Sequence, residues 1–405
     1  MTGTEARVER PEGRLVSIDV MRGLTMVVMI FVNELSSVKG LPWWTYHAQT
    51  EWDAMTYVDM VFPFFLFVVG LSLPLAIAAR VKRSGSGAAL WGHVLLRTAS
   101  LMVLGLILAN ADTGDGKRMV LRPEVWALVG ILGCGLFLNE YDGGKWLGVR
   151  VGWWKGAGVV LVGVMFALYR HVPEPGVGGW IDYGYPEILG LIGYTYLAVC
   201  LLYLPVRRWV WAPVVGFVLM MGLNVGMAAR WVVLPAGFDY WVWPWNNGAM
   251  AGIVFGGMVT AGIFLGEHRW QRLEQKLGLA VGFAAVTLAA GWMAIPLGIS
   301  KNRATPTWSL VSVGVAVLVF AALYWICDVK KRTRWAFFAR SAGGNTLTTY
   351  LLPDVWGYGM GALGITYLEY HWNAGWAGVV RCLVFTGLIL GISSVLTRWR
   401  VRLRL

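Results

Sequence analysis

The chain has 405 residues, of which 57% are hydrophobic and only 14% charged, with a mean hydropathy of +0.60; soluble domains carry about 25% charged residues. That balance excludes a soluble enzyme and points to an all-α polytopic membrane protein. The net charge of +12 is no nucleic-acid footprint, because the Lys and Arg residues fall in short clusters between apolar runs rather than on one soluble face.

The first 14 residues are polar and read as a short cytoplasmic tail. The apolar run behind them holds Asp19 and Arg22 and lacks a small-residue cleavage site, so it is not a signal peptide. Apolar segments then follow one another, centred near 27, 67, 100, 130, 162, 196, 220, 256, 288, 316, 354 and 387. At about 20 residues per span, these predict a bundle of about 10–12 transmembrane helices. The fifth segment is short and the eleventh carries Pro353 and Asp354, which leaves room for a broken helix in either. Residues 15–397 thus form one transmembrane domain, and 398–405 a basic cytoplasmic tail. With both termini inside, most Lys and Arg fall on the cytoplasmic side, as the positive-inside rule requires. The loop 39–55 then faces outward, in a membrane of the bacterial inner-membrane type. The connections 171–186 and 231–247 are rich in Pro, Gly and aromatics, and read as interfacial loops or as lids. The 52 Gly suit close helix packing and the 24 Trp suit interface belts. Cys134, Cys200, Cys327 and Cys382 lie in apolar runs at no metal-ligand spacing, so they read as small buried hydrophobes; no metal is expected.

Ionisable groups at membrane depth cost roughly 2.5–3.5 kcal/mol on insertion scales, and so mark cavities or pathways. Asp59 is such a group, at the entry of the second apolar segment. Twelve residues before it, in the aromatic loop, stands His47, whose imidazole suits a general base near neutrality. Asp59 is placed to orient it, while Glu51 and Asp53 read as solvated. Asn33, at the end of the first segment, has amide donors for an oxyanion or a substrate carbonyl. Pro63 is expected to kink the second helix and free a carbonyl near Asp59. Asp19 and Arg22, three apart, share a helix face; a structural ion pair and an anion site facing the cytoplasm are both compatible with them. Arg97, in the third segment, is a second buried cation. Gly343, Gly344 and Asn345 could present backbone donors at a helix N-terminus, although helix capping is the simpler reading. Trp52, Lys301 and Asn302 are candidate substrate contacts in outer loops. There is no P-loop, dinucleotide fingerprint, GxSxG elbow or zinc spacing.

Several of these stretches resemble the transmembrane acyltransferase family of heparan-α-glucosaminide N-acetyltransferase and its bacterial relatives. RLVSIDVMRGLTMVVMIFVN is similar to the family's first core helix. HAQTEWDAMTYVDMVFPFFLFVVGLSLPLA is similar to its His-Ala loop and the helix after it. LLRTASLMVLGLILAN resembles the third helix, and WSLVSVGVAVLVFAALYWICDV with FFARSAGGNTLTTYLL the C-terminal pair. The resemblance implies transfer of an acetyl group from cytosolic acetyl-CoA to an extracytoplasmic amino sugar, with His47 as the active histidine beside Asn33 and Asp59. It also implies coenzyme contacts near Arg22, Arg97, Gly344 and Asn345. The His-to-Asp spacing is about two residues longer here, with Gln49 and Thr50 as the insertion. The middle of the chain, 140–245, carries no resemblance, so the sugar or glycan acceptor is left open, as is a homodimer.

Two functions follow. One is an acyl-CoA-dependent N- or O-acetyltransferase with His47 as base or transient acyl carrier. The other is a transporter or carrier of a sugar-type substrate that uses buried charges as an ion relay. The polar residues cluster at the membrane edges, with few carboxylates at mid-helix, which favours the enzyme.

Overall fold

The computed structural model describes residues 15–85, 87–173, 179–235, 237, 247–266, 269–365, 367 and 371–404. The expected tail 1–14, most of the 231–247 connection and 174–178 of the 171–186 connection lie outside the described residues. Each of the twelve apolar segments is a helix: α1 Val16–Leu35, α2 Val61–Ser84, α3 Ala88–Ala111, α4 Pro123–Leu138, α5 Val151–Leu168, α6 Glu187–Tyr203, α7 Ala212–Ala228, α8 Ala249–Leu265, α9 Leu273–Met293 and α10 Pro306–Tyr324. A short α11, Phe337–Gly344, then precedes α12, Thr346–Leu363, and α13, Gly375–Arg398. Among the described residues, seven helices are long and apolar enough to cross a membrane, and four more are shorter but apolar. The fold is therefore an all-α polytopic membrane bundle. Neither doubtful segment is broken: α5 and α12 each run 18 residues, α12 straight through Pro353.

Lipid replaces water around such a bundle, so its outer helices expose apolar side chains. Only 11% of the apolar window of α5 is buried, against 61% for α1 and for α2. Glycine sets the tightest crossings. A Cβ at Gly257 on α8 would stand 2.1 Å from the Phe67 carbonyl oxygen of α2, and one at Gly70 would stand 2.0 Å from that of Val254. Without side chains at these positions the two backbones touch, which is how membrane helices gain packing in the absence of a hydrophobic drive. Gly23 of α1 does the same beneath Ala339 of α11.

Hydrogen bonds between loops sort the ends of the helices into two faces. On one face Lys39 N donates to Asn373 O and Gly375 N to Lys39 O, joining the α1–α2 and α12–α13 connections. Asp53 pairs with Arg303, adding the α9–α10 connection. On the other face the chain after α13 folds back, with Arg404 on Glu140 at 2.8 Å and Arg400 on Asp142. There too α10 ends in a π-turn, Trp325–Val329, whose Asp328 accepts from the Val16 and Ser17 amides at 2.8 and 2.9 Å. A carboxylate at these otherwise unpaired amides satisfies them and complements the α1 dipole. The first and last helices thus begin and end on one face, and the His47 loop lies on the opposite one.

The four cysteines are buried and form no disulfide among the described residues, as expected of small hydrophobes. Pro63 falls in the first turn of α2, so it does not break the helix midway. The carbonyl it leaves without a helical donor is that of Asp59, four residues back, and Trp308 Nε1 donates to it at 3.0 Å.

Candidate active site

A 3-10 turn, Val58–Met60, opens the second span and carries Asp59 into the protein, where it is 1% exposed. Its Oδ2 accepts from Thr56 N at 2.9 Å and from Ala48 N at 3.2 Å, and its Oδ1 lies 2.7 Å from His47 Nδ1. A carboxylate already holding two amide donors acts as an acceptor, so the imidazole proton sits on Nδ1 and the lone pair on Nε2. Nε2 makes no hydrogen bond among the described residues, and the His47 side chain is 43% exposed. The pair expected across twelve residues is therefore formed.

The loop that carries His47 is fixed at several points. Tyr46 OH donates to Val38 O at 2.6 Å, and Thr56 Oγ1 donates to Tyr46 O at 2.8 Å. The α9–α10 connection grips its far side. Asn302 Nδ2 donates to Thr50 Oγ1 at 2.8 Å, Ile299 N donates to Asp53 Oδ1 at 3.2 Å, and Arg303 pairs with the same oxygen. Asp53 is thus engaged rather than merely solvated, and the Arg303 hydrogen bond holds its carboxyl below the usual aspartate range. Asn302 binds the loop insertion instead of standing free for substrate. Burial pulls the Lys301 ammonium below the usual lysine range, and the negative charge of Asp59 draws it back up, so Lys301 lies within reach of the His47–Asp59 field. Trp52 is exposed and meets Trp43 edge to face at 6.1 Å.

A second feature opens on the face that carries the chain ends. It is a cavity of about 390 Å³ whose polar lining includes Arg22, Ser72, Arg97, Tyr196, Gly344 and Arg404. Arg22 touches Asp19 at 3.3 Å and donates to Ser72 Oγ at 2.7 Å, so the ion pair and the cavity contact coexist. Arg97 lies over the Tyr196 ring at 4.7 Å, and its buried Nε has no hydrogen-bond partner. Asn345 departs from expectation. Its Nδ2 donates to Thr397 Oγ1 and Val401 O and its Oδ1 accepts from Thr348 Oγ1, so the amide is consumed in tying α12 to the end of α13. Asn345 stands at the N-cap position of α12 but makes no side-chain capping bond, so the simpler reading does not hold either, while Gly344 and Thr346 beside it line the cavity.

Asn33 also departs. It forms no side-chain hydrogen bond to His47 or Asp59 among the described residues, and it lines a separate cavity of about 340 Å³ with Glu34, Asp112, Glu187 and Asp354. Asp354 stands midway along α12, so the expectation that carboxylates keep to the membrane edges fails there. Burial raises the carboxyl of Asp112, at the end of α3, above the usual range. Sequence reasoning missed Arg404, Tyr196, Glu187 and Tyr350. The acids inside apolar segments were a usable signal; the role of Arg404 was masked by the basic cluster in which it lies.

Fold and site define a polytopic helical membrane protein with an oriented histidine on one face and an arginine-lined cavity on the other. A family model described as a domain of unknown function, DUF5009, matches residues 14–113, which hold the first three resembling stretches. The chain is also 33% identical over 120 residues to the heparan-alpha-glucosaminide N-acetyltransferases of Mus musculus and Homo sapiens. The match covers 30% of this chain and 17% and 16% of those relatives, so it spans about a sixth of their length. The resemblance to that acetyltransferase family is borne out over this part of the chain.

Proposed function

We propose that the protein is a transmembrane acetyltransferase that takes an acetyl group from acetyl-CoA on the cytoplasmic face and delivers it to an amine or hydroxyl of a sugar or glycan on the other. The observation that carries this reading is the His47 Nδ1–Asp59 Oδ1 contact of 2.7 Å, in a histidine side chain that is 43% exposed. Such an imidazole can take the proton from the acceptor as its nitrogen or oxygen attacks the thioester carbonyl; the C–S bond then breaks and the coenzyme leaves as its thiolate. The same Nε2 can alternatively hold the acetyl group between two half-reactions. The arginine-lined cavity suits the anionic donor. Arg22, Arg97 and Arg404 supply positive charge, the unpaired Arg97 Nε supplies a donor seeking an acceptor, and Gly344 with Thr346 places the start of α12 at its wall.

The direction of transfer follows the positive-inside rule: basic clusters lie toward the face of the chain ends, which supports taking that face as cytoplasmic, in a membrane of the bacterial inner type under this proposal. Cysteines at Lys82 and at Gln49 test it with a membrane-impermeant thiol reagent on intact cells. Gln49→Cys is expected to label and Lys82→Cys to stay silent; the reverse pattern would invert the scheme.

The donor is tested by thermal unfolding in detergent with millimolar CoA. A ligand that binds only the folded state raises apparent stability, so an upward shift is expected, and Arg97→Gln should remove most of it. An unshifted transition would favour the second reading, a carrier of a sugar-type substrate, for which the mid-helix Asp354 is the supporting feature.

A further inference from the structure

The two cavities are lined by successive turns of the same helices. Along α1 the inner cavity takes Arg22 and Met26, and the outer one takes Met29, Ile30 and Asn33. Along α3 the order is Arg97 and Leu101, then Leu108, with Asp112 following the helix. Along α6, which runs the other way, it is Tyr196, Ile192 and Leu189, then Glu187. On α12 it is Thr346 and Leu347, then Pro353, Asp354 and Tyr358. One residue lines both: Tyr350, whose hydroxyl donates to Glu187 Oε1 at 2.9 Å.

We propose that the two cavities are halves of one passage through the bundle, and that Tyr350, latched to Glu187, is the gate between them. The proposal rests on the acyl-transfer reading for its ligand, the acyl end of a thioester whose anionic part stays in the inner cavity.

Three features make the wall movable at this point. Glu187 has φ of +56° at the first residue of α6, a left-handed conformation that costs a non-glycine residue energy and persists where the surroundings hold it. Its Oε2 is tied to Leu189 N at 2.9 Å, so the carboxylate that holds Tyr350 also closes the strained turn. Pro353 lies one turn beyond Tyr350 and removes the backbone bond to the carbonyl of Thr349, which loosens the turn carrying the ring. Glu187 has no cationic partner among the described residues, so the tyrosine hydroxyl is a principal contact of its carboxylate. Rotation of Tyr350 breaks that one bond and joins two spaces that are already open.

The test needs no transfer assay. A cysteine at Leu108 lines the outer cavity, and none of the four native cysteines lines either cavity. A small cationic, membrane-impermeant thiol reagent is applied to reconstituted protein from each face in turn. With Tyr350 present, Leu108→Cys should react from the His47 face only. Tyr350→Phe removes the latch but keeps the ring, and should raise reaction from the face of the chain ends about fivefold, the scale of one lost hydrogen bond. Tyr350→Ala should raise it about tenfold or more, and millimolar CoA should suppress the gain by filling the inner cavity. Reaction from the His47 face should stay constant and reports an intact bundle. Unchanged reaction from the face of the chain ends in a folded Tyr350→Ala protein would overturn the gate; should that variant fail to fold, the same result in Tyr350→Phe would do so. Either result leaves acyl transfer itself to be judged by the CoA shift and by His47.

Discussion

His47→Ala is expected to abolish acyl transfer, with a loss of ~10²–10⁴-fold where the imidazole acts as general base and a larger one where it carries the acetyl group. The expectation rests on geometry. His47 is held at Nδ1 by Asp59, and its Nε2 makes no hydrogen bond among the described residues. The substitution removes a side chain that is 43% exposed, so no cavity opens in the core and the fold should survive. The CoA-induced rise in melting temperature should persist, because the arginine-lined cavity is built by other helices. Steady-state transfer and thermal unfolding on the same preparation check both halves. Transfer within a few-fold of the parent protein would remove His47 from the mechanism.

Asp59→Asn should cost a comparable factor, ~10²–10⁴-fold in turnover, for a reason legible in the hydrogen bonds. Oδ2 accepts from the backbone amides of Ala48 and Thr56. An asparagine must keep its oxygen there, since an amide group facing two N–H donors would leave all three unsatisfied. Its NH₂ then faces His47 Nδ1, which is forced to accept. The imidazole proton moves to Nε2, and the nitrogen that should take a proton from the acceptor already has one. The effect should fall on kcat, with the CoA shift and the melting temperature nearly unchanged, because size and most hydrogen bonds are kept. An Asp59→Asn protein with normal turnover would show that the pair is structural.

These two variants probe a unit that was readable in advance, and the reason is locality. His47 and Asp59 are twelve residues apart, and the apolar run that begins at Val58 forces its first polar residue to the membrane edge. Asn33 reads equally well along the chain, yet its side chain lines the outer cavity and forms no bond to the histidine. Its position at the end of α1 is local, but the direction it faces depends on α3, α6 and α12. Asn345 illustrates the converse. A glycine pair before an asparagine suits both anion binding and capping, yet the Asn345 amide is taken up by Thr397 and Val401, more than fifty residues later.

The sequence by itself determined the membrane class, the succession of apolar helical segments and the two ends of the His47–Asp59 pair. Each follows from runs of side chains whose transfer energies add up within one segment. Only the tertiary structure decided what those helices enclose. The clamp of Asp53 by Arg303 joins positions 250 residues apart, and the Tyr350–Glu187 contact joins positions 163 apart. The inner cavity gathers Arg22, Arg97 and Arg404 from three distant parts of the chain. A cavity is a property of how helices cross, and the crossings here are set where glycines such as Gly70 and Gly257 let backbones meet. Hydropathy is summed along one helix and carries no record of its neighbours, so the two cavities and the charge that lines them became visible only when the helices were packed.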